Sequence, residues 1–207
     1  VKIGLIGCMA ERFGESATNK FPFIDFVLGP NKEGKLENMI GWLESRESIG
    51  SKNKIVEIGD SIEFRNPFIA KRKNPISAWI TIMEGCDNFC SFCIVPYVRG
   101  REKSKPVDLI IKEIEQLNRN TYKEITLLGQ NVNSYAFGFD KLLDEVSRIE
   151  GIERVRFMTS HPKDMSENII DAVSRNKKVC ENFHLPLQSG DDEILKKMNR
   201  GYTTDYY

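Results

Sequence analysis

The chain has 207 residues, 40% of them hydrophobic and 29% charged, which supplies one large core or two smaller ones and excludes a disordered or collagen-like chain. Lys and Arg total 30, as do Asp and Glu, so the formal net charge is zero. The chain as a whole is therefore not attracted electrostatically to nucleic acid or anionic lipid. No apolar run approaches the roughly 20 residues of a membrane-spanning helix and no leader pattern opens the sequence, so we expect a cytoplasmic protein without a membrane partner.

The first part of the chain predicts a portion of an α/β domain. Apolar runs at 1–6 and 24–28 end in Gly-Cys and Gly-Pro, and each predicts a short buried strand. Apolar residues then recur at helical spacing across 36–43. Because strands and a helix alternate, we expect residues 1–49 to form part of a parallel α/β layer. The periodicity then fades, and residues 50–71 predict a linker.

From residue 72 onward, strand and helix patterns alternate regularly. The predicted strands are 79–83, 125–128, 155–158 and 183–187, and the predicted helices are 106–117, 142–149, 169–173 and 194–198. Four consecutive βα units build either a doubly wound sheet or a barrel. In both folds the chemistry lies beyond the carboxyl ends of the strands, so the residues that follow each strand are the candidates for a functional site.

Three of the five cysteines follow the first of these strands. Cys86, Cys90 and Cys93 have the spacing C-x3-C-x2-C, whereas Cys8 and Cys180 lie far away along the chain. Clustered thiols at short spacing are more often metal ligands than disulfide partners in a reducing compartment. Three thiolates can hold a 4Fe-4S cluster and leave one iron open for a small molecule. Structural zinc is the alternative, but no fourth ligand stands at zinc-finger spacing.

The cysteine spacing, with an aromatic residue directly before the third cysteine, resembles the radical S-adenosylmethionine superfamily. That resemblance implies a parallel (βα) barrel, here partial, in which Cys86, Cys90 and Cys93 hold a 4Fe-4S cluster whose open iron binds S-adenosylmethionine. Electron transfer from the cluster would cleave the cofactor to a 5′-deoxyadenosyl radical. The residues expected to contact the cofactor are Phe92, Arg99, Gly129, Gln130 and Asn131. Packing beneath the loop is the alternative for Phe92.

Further motifs narrow the resemblance to the MiaB-type tRNA methylthiotransferases. They are MEGCDNFCSFCIVPYVRGRE at 83–102, LLGQNVNSY at 127–135, TSHP at 159–162, HLPLQSG at 184–190 and MNRGYT at 198–203, with GCMAER at 7–12 and FVLGP at 26–30. The resemblance implies 2-methylthiolation of N6-isopentenyladenosine beside the tRNA anticodon, with the tRNA anticodon stem-loop and an electron donor protein as partners. We expect a monomer.

The sequence departs from that family in its first part. The family holds a second 4Fe-4S cluster on three cysteines of its N-terminal domain, and Cys8 matches only the third of them. We therefore expect a fragment that cannot assemble the second cluster. Residues 1–49 would be the end of the N-terminal domain, and residues 72–207 an incomplete radical SAM core. Cys180 matches no ligand position and is expected to be a buried thiol.

A basic patch follows the cysteines, and other functions stay open. Arg99, Arg101, Lys103 and Lys105 outweigh Glu102, and the patch is either a contact for a tRNA phosphate or a solvated entrance to a helix. One alternative function is a sister methylthiotransferase that acts on threonylcarbamoyladenosine or on a ribosomal-protein aspartate. The other is a metal-stabilised RNA-binding module without enzymatic activity.

Overall fold

The computed structural model describes residues 1–47, 54–59, 76–118 and 122–207. These residues form two compact units. The first unit contains the described residues up to 59 together with Ile94–Gly100, and the second contains 76–93 and the described residues after Gly100. None of the helices in these ranges has the length and hydropathy that crossing a bilayer requires.

Short helices and strands alternate in both units. In chain order they are β1 (Gly4–Ile6), α1 (Cys8–Phe13), α2 (Glu15–Lys20), β2 (Phe26–Leu28), α3 (Leu36–Glu47), β3 (Ile55–Glu57), β4 (Ser77–Thr81), β5 (Met83–Glu84), α4 (Val95–Val98), β6 (Lys103–Ser104), α5 (Val107–Asn118), β7 (Glu124–Leu128), α6 (Phe139–Arg148), β8 (Arg154–Met158), α7 (Glu167–Arg175) and α8 (Asp192–Lys197). Ser166 caps α7 and Asp191 caps α8, since each side-chain oxygen accepts a hydrogen bond from an N–H of the first turn.

The first unit contains a parallel sheet in the order β1-β2-β3. Helices α1 and α2 pack on one face through Ala10 and Ala17, and α3 packs on the other through Met39 and Leu43. Both predicted strands and the predicted helix are therefore present. Within the predicted linker, Ile55–Glu57 is a strand that pairs with β2 and extends this sheet, which corrects the prediction for these residues. Residues 50–53 and 60–71 of the predicted linker lie outside the described residues. The apolar run around β3, residues 55–58, is shorter than the runs at 1–6 and 24–28 that predicted β1 and β2.

The second unit contains a parallel sheet in the order β4-β7-β8. Ile80, Leu127 and Phe157 lie side by side across the three strands and pack against helices α5, α6 and α7. The opposite face of the sheet carries exposed side chains, among them Trp79 and Met158. Three of the four predicted βα units are confirmed, with strand ends within two residues of those expected.

The predicted fourth strand, 183–187, is wrong. These residues form no strand ladder, and the N–H of Ser160 donates to the carbonyl of His184 at 3.1 Å. Pro186 has no N–H to donate to a ladder, and Phe183 and His184 are exposed. The apolar run therefore lacks both the partner and the burial that a strand of a parallel sheet requires.

A two-stranded antiparallel pair, β5 with β6, was not expected from the sequence. Met83 pairs with Ser104 and Glu84 pairs with Lys103, so these strands stand on either side of the segment that contains the three cysteines. Met83 is fully buried, and the N–H of Lys105 donates to the carbonyl of Ile82 at 2.8 Å. This pairing fixes where the cysteine segment leaves the sheet.

Candidate metal centre

The cysteine loop, which we define as residues 85–93, begins where β5 ends, at the carboxyl edge of the β4-β7-β8 sheet. Its first N–H, of Gly85, donates to Oε1 of Gln130 at 2.7 Å. Gln130 follows β7, so this bond joins the loop to the end of the central strand. Gly85 and Phe89 both have positive φ, of 77° and 46°, which turns the chain sharply within the loop.

The three thiols of the loop are shielded from solvent to different degrees. Cys90 is buried, with 8% of its surface exposed, and Cys86 and Cys93 are half-buried. Burial raises the pKa of the Cys86 thiol, and the negative charges of Glu102, Cys90 and Cys93 add to this shift. Thiolates that repel one another are stabilised by a shared metal cluster, so this donor set fits iron and sulfide.

Within the four described ranges, no three His, Cys, Asp or Glu side chains are arranged to hold a single metal ion. The ligand role of the three cysteines of the loop therefore stays a prediction. What the structure does bring together at the loop is a set of hydrogen-bond donors around one sulfur, that of Cys90.

Two buried side chains that the sequence analysis left without a role contact Cys90. Nη1 of Arg200 donates to its Sγ at 3.2 Å, and Nε2 of His161 lies 3.9 Å from it. Nδ1 of His161 accepts from the N–H of Lys163, so the ring proton is assigned to Nε2, which faces the sulfur. Burial, helped by the charge of Arg200, lowers the pKa of His161 to about 4, which keeps the ring neutral near pH 7.

The residues predicted to contact the cofactor after β7 lie at the same edge of the sheet. Asn131 is buried, with 1% of its surface exposed, and its amide donates to Oδ2 of Asp164 at 2.6 Å. Its Oδ1 has no hydrogen-bond partner among the described residues. A Cβ built on Gly129 would overlap Cγ of Met83, so packing alone explains why glycine stands there. Contact of Gly129 with a cofactor stays a prediction.

The other predicted site residues are placed differently. The ring of Phe92 is 56% exposed, so the alternative that it packs beneath the loop is wrong. Arg99 and Cys8 belong to the first unit. Cys8 is half-buried and begins α1, directly after β1, and the N–H of Arg99 donates to the carbonyl of Val95 in α4. Their roles at a cofactor and at a second cluster stay predictions.

The basic patch is largely paired within the protein. Nζ of Lys105 is buried and lies 2.5 Å from a carboxylate oxygen of Glu113, so Lys105 is not part of an exposed patch. Arg101 pairs with Asp87 at 3.2 Å and lies over the ring of Phe89.

Cys180 is half-buried rather than buried, in a cleft of about 430 Å³ on the exposed face of the sheet.

The bond between Gln130 and Gly85 leads to a prediction about the loop. In Gln130→Ala the N–H of Gly85 loses its acceptor, and a half-buried donor without a partner costs about 1–3 kcal/mol. We expect hydrogen–deuterium exchange at Gly85 to become faster by roughly 5- to 100-fold. Gln130→Glu keeps an acceptor oxygen and is the matched control. Equal protection of Gly85 in Gln130→Ala and in the parent would contradict the proposed anchor.

Comparison of sequences identifies relatives over the whole chain. Proteins named tRNA-2-methylthio-N(6)-dimethylallyladenosine synthase from Thermodesulfovibrio yellowstonii, Pelotomaculum thermopropionicum and Clostridium botulinum are 47%, 45% and 48% identical to it. The matches cover 99–100% of this chain and 46–47% of the relatives. The chain thus spans about half the length of the curated relatives it matches. The resemblance predicted from the motifs is confirmed.

Solved structures share the fold at low sequence identity. Two structures of the radical S-adenosylmethionine methyltransferase TsrM from Kitasatospora setae match with TM-scores of 0.52 and 0.53. They are 19% and 18% identical, and the matches cover 62% and 64% of this chain and 26% and 27% of theirs. One is described with cobalamin and a [4Fe-4S] cluster bound, and the other with tryptophan substrate and aza-SAM.

The family model described as the Radical SAM superfamily matches residues 80–207. This match runs from within β4 through the cysteine loop and the ends of β7 and β8 to the last residue, Tyr207. It therefore includes each of the strand ends at which the candidate site lies. The chain belongs to the radical SAM superfamily.

Proposed function

We propose that the chain carries the radical-generating part of a tRNA methylthiotransferase that adds a 2-methylthio group to N6-isopentenyladenosine beside the anticodon. The observation that carries this proposal is the cysteine loop, in which three cysteines lie at the carboxyl edge of a parallel sheet and the sulfur of Cys90 is buried against Arg200 and His161. The names of the relatives support the reaction and the tRNA substrate, and the superfamily match supports the radical chemistry.

The donor set fits a 4Fe-4S cluster held by Cys86, Cys90 and Cys93. Such a cluster, when bound with S-adenosylmethionine, supplies the electron that cleaves this cofactor to a 5′-deoxyadenosyl radical. The protein's own contribution is to hold the loop. Gln130 fixes its first N–H, and Arg200 donates to the sulfur of Cys90.

Several side chains support a cofactor site next to the loop. The exposed ring of Phe92 offers an apolar surface for an adenine base. Oδ1 of Asn131 and Oγ of Ser160 are buried without a hydrogen-bond partner among the described residues, and such atoms are rare in folded proteins. Since both follow strands of the sheet, we assign Oδ1 of Asn131 the role of accepting a hydrogen bond from the cofactor, with the backbone of Gly129 beside it. A role for Arg99 at the cofactor is part of the same proposal.

The remaining assignments are part of the same proposal. The first unit would be the end of a methylthiotransferase N-terminal domain, joined by a linker to an incomplete radical SAM barrel. Cys8 would be one of three ligands of a second 4Fe-4S cluster. The partners would be the tRNA anticodon stem-loop and an electron donor protein, and the enzyme would act in the cytoplasm as a monomer.

Nucleoside analysis of tRNA tests the reaction and the substrate together. A strain that lacks the gene for the full-length protein should lose the 2-methylthio derivative and accumulate N6-isopentenyladenosine. The full-length parent and Cys180→Ala, a cysteine outside the loop, should restore the derivative, whereas Cys90→Ala should not. Loss of 2-methylthiolated threonylcarbamoyladenosine, or of a modified ribosomal-protein aspartate, would instead identify a sister enzyme. An unchanged nucleoside pattern would contradict the proposal.

A further inference from the structure

Three consecutive residues after α8 contact the cysteine loop, and we call residues 198–200 the loop clamp. The carbonyl of Met198 accepts a hydrogen bond from the N–H of Ser91 at 3.1 Å. The side-chain amide of Asn199 donates to two consecutive carbonyls of the loop, at 3.1 and 3.0 Å. The third residue, Arg200, donates to Sγ of Cys90. The loop is thus held by a segment that lies 110 residues later in the chain.

Backbone geometry at the loop clamp is specialised for these contacts. Asn199 has a φ of 55°, in the left-handed region that asparagine adopts more readily than most residues. Phe89, one of the loop residues whose carbonyl accepts from Asn199, has a φ of 46°. A positive φ at a phenylalanine is costly, so the surrounding hydrogen bonds must hold the loop in that shape.

The guanidinium of Arg200 is a buried cation, with 4% of the residue exposed. Its Nη2 donates to the carbonyl of Pro186 at 3.3 Å and its Nε to the hydroxyl of Tyr202 at 3.4 Å. Its shortest hydrogen bond goes to Sγ of Cys90, at 3.2 Å. Of these three partners, only the sulfur belongs to a predicted ligand of the cluster. Burying a charge is costly unless it is paired, and a cluster held by Cys90 would supply negative charge beside this guanidinium.

We propose that Arg200 tunes the reduction potential of the cluster that Cys90 would hold, through a hydrogen bond and a fixed positive charge at its Sγ. This inference rests on the function proposed above. Reduction adds negative charge to an iron–sulfur cluster, so hydrogen bonds to its sulfurs and nearby cations stabilise the reduced state. Because Arg200 is buried, solvent screens this interaction weakly. Arg200 is a positioning residue, since it acts through Cys90.

A redox titration of the anaerobically reconstituted full-length protein tests this role. Electron paramagnetic resonance reports the reduced fraction, and a Cys8→Ala background keeps the proposed second cluster from contributing. At a fixed applied potential, we expect Arg200→Gln to lower the ratio of reduced to oxidised cluster about tenfold, which corresponds to ~59 mV for one electron. Arg200→Lys keeps the positive charge but loses the planar guanidinium, so in this variant the ratio of reduced to oxidised cluster should fall less.

The matched control is Arg175→Gln, which removes an exposed arginine that pairs with Asp144 at 2.7 Å, away from the loop. Its midpoint potential should equal that of the parent. If Arg200→Gln does not retain a cluster, the midpoint potential of Arg200→Lys is compared with that of the parent. A more negative potential supports the proposal, and an unchanged potential overturns it. Equal potentials in the parent and both Arg200 variants also overturn it. A parent that takes up no cluster refutes the proposed function itself.

Discussion

Alanine in place of Cys90 should cost the full-length protein most of the iron and sulfide of one 4Fe-4S cluster, about four atoms of each. Cys90 is the most buried thiol of the cysteine loop, and its sulfur receives a hydrogen bond from Arg200. Its loss removes one of the three predicted ligands and leaves Nη1 of the buried Arg200 without the sulfur to which it donates. Iron and acid-labile sulfide, measured per protein after anaerobic reconstitution, report the effect.

Cys180→Ala is the control for this experiment, because it also removes a half-buried thiol but lies outside the loop. It should retain as much iron and sulfide as the parent. The account is contradicted if Cys90→Ala holds the parent's full complement. Uptake of zinc in place of iron and sulfide would favour the alternative of a structural zinc site.

Alanine at Gly129 should destabilise the protein by about 1–3 kcal/mol, through overpacking. The added Cβ overlaps Cγ of Met83, a fully buried side chain on the strand that leads into the cysteine loop. Because Met83 is fully buried, its side chain has little space into which it could move. Thermal unfolding followed by circular dichroism should show a melting temperature several degrees below that of the parent.

Gly190→Ala is the matched control, because a Cβ built at Gly190 meets no atom within 4 Å. Its melting temperature should equal that of the parent or exceed it slightly, since alanine restricts the unfolded chain. Equal melting temperatures of Gly129→Ala and the parent would contradict the packing explanation. A variant that melts normally but binds S-adenosylmethionine weakly would show instead that a cofactor needs the space at Gly129.

Sequence patterns located the candidate site because it depends on strand ends. Buried strands of four or five residues, such as β7, show as continuous apolar runs, and the residues after them necessarily lie at one edge of a parallel sheet. The position of the cysteine loop beyond the first of these strands follows from the same rule. The spacing of the cysteines predicts a metal site in the loop, and the resemblance to the radical SAM superfamily predicts that the metal is an iron–sulfur cluster.

Features that depend on distant partners were not predictable in this way. The run 183–187 resembles a strand by composition, yet Pro186 and the exposure of its neighbours keep it out of the sheet. The strand β3 lies in a shorter apolar run than β1 and β2, and its pairing with β2 is not visible in the sequence. Arg200 and His161 reach Cys90 from segments that are 110 and 71 residues away, and no local period reports such contacts. The sequence motifs that contain Arg200 and His161 were recognised through the family resemblance, but they did not predict a physical role for either side chain.

Formation of 5′-deoxyadenosine tests the central claim most directly. The full-length protein, reconstituted anaerobically with iron and sulfide and then reduced, should convert S-adenosylmethionine to 5′-deoxyadenosine and methionine, detected by mass spectrometry. Cys180→Ala should form both products and Cys90→Ala neither. A parent that binds iron, sulfide and tRNA but forms no 5′-deoxyadenosine would contradict the radical function and favour a metal-stabilised RNA-binding module.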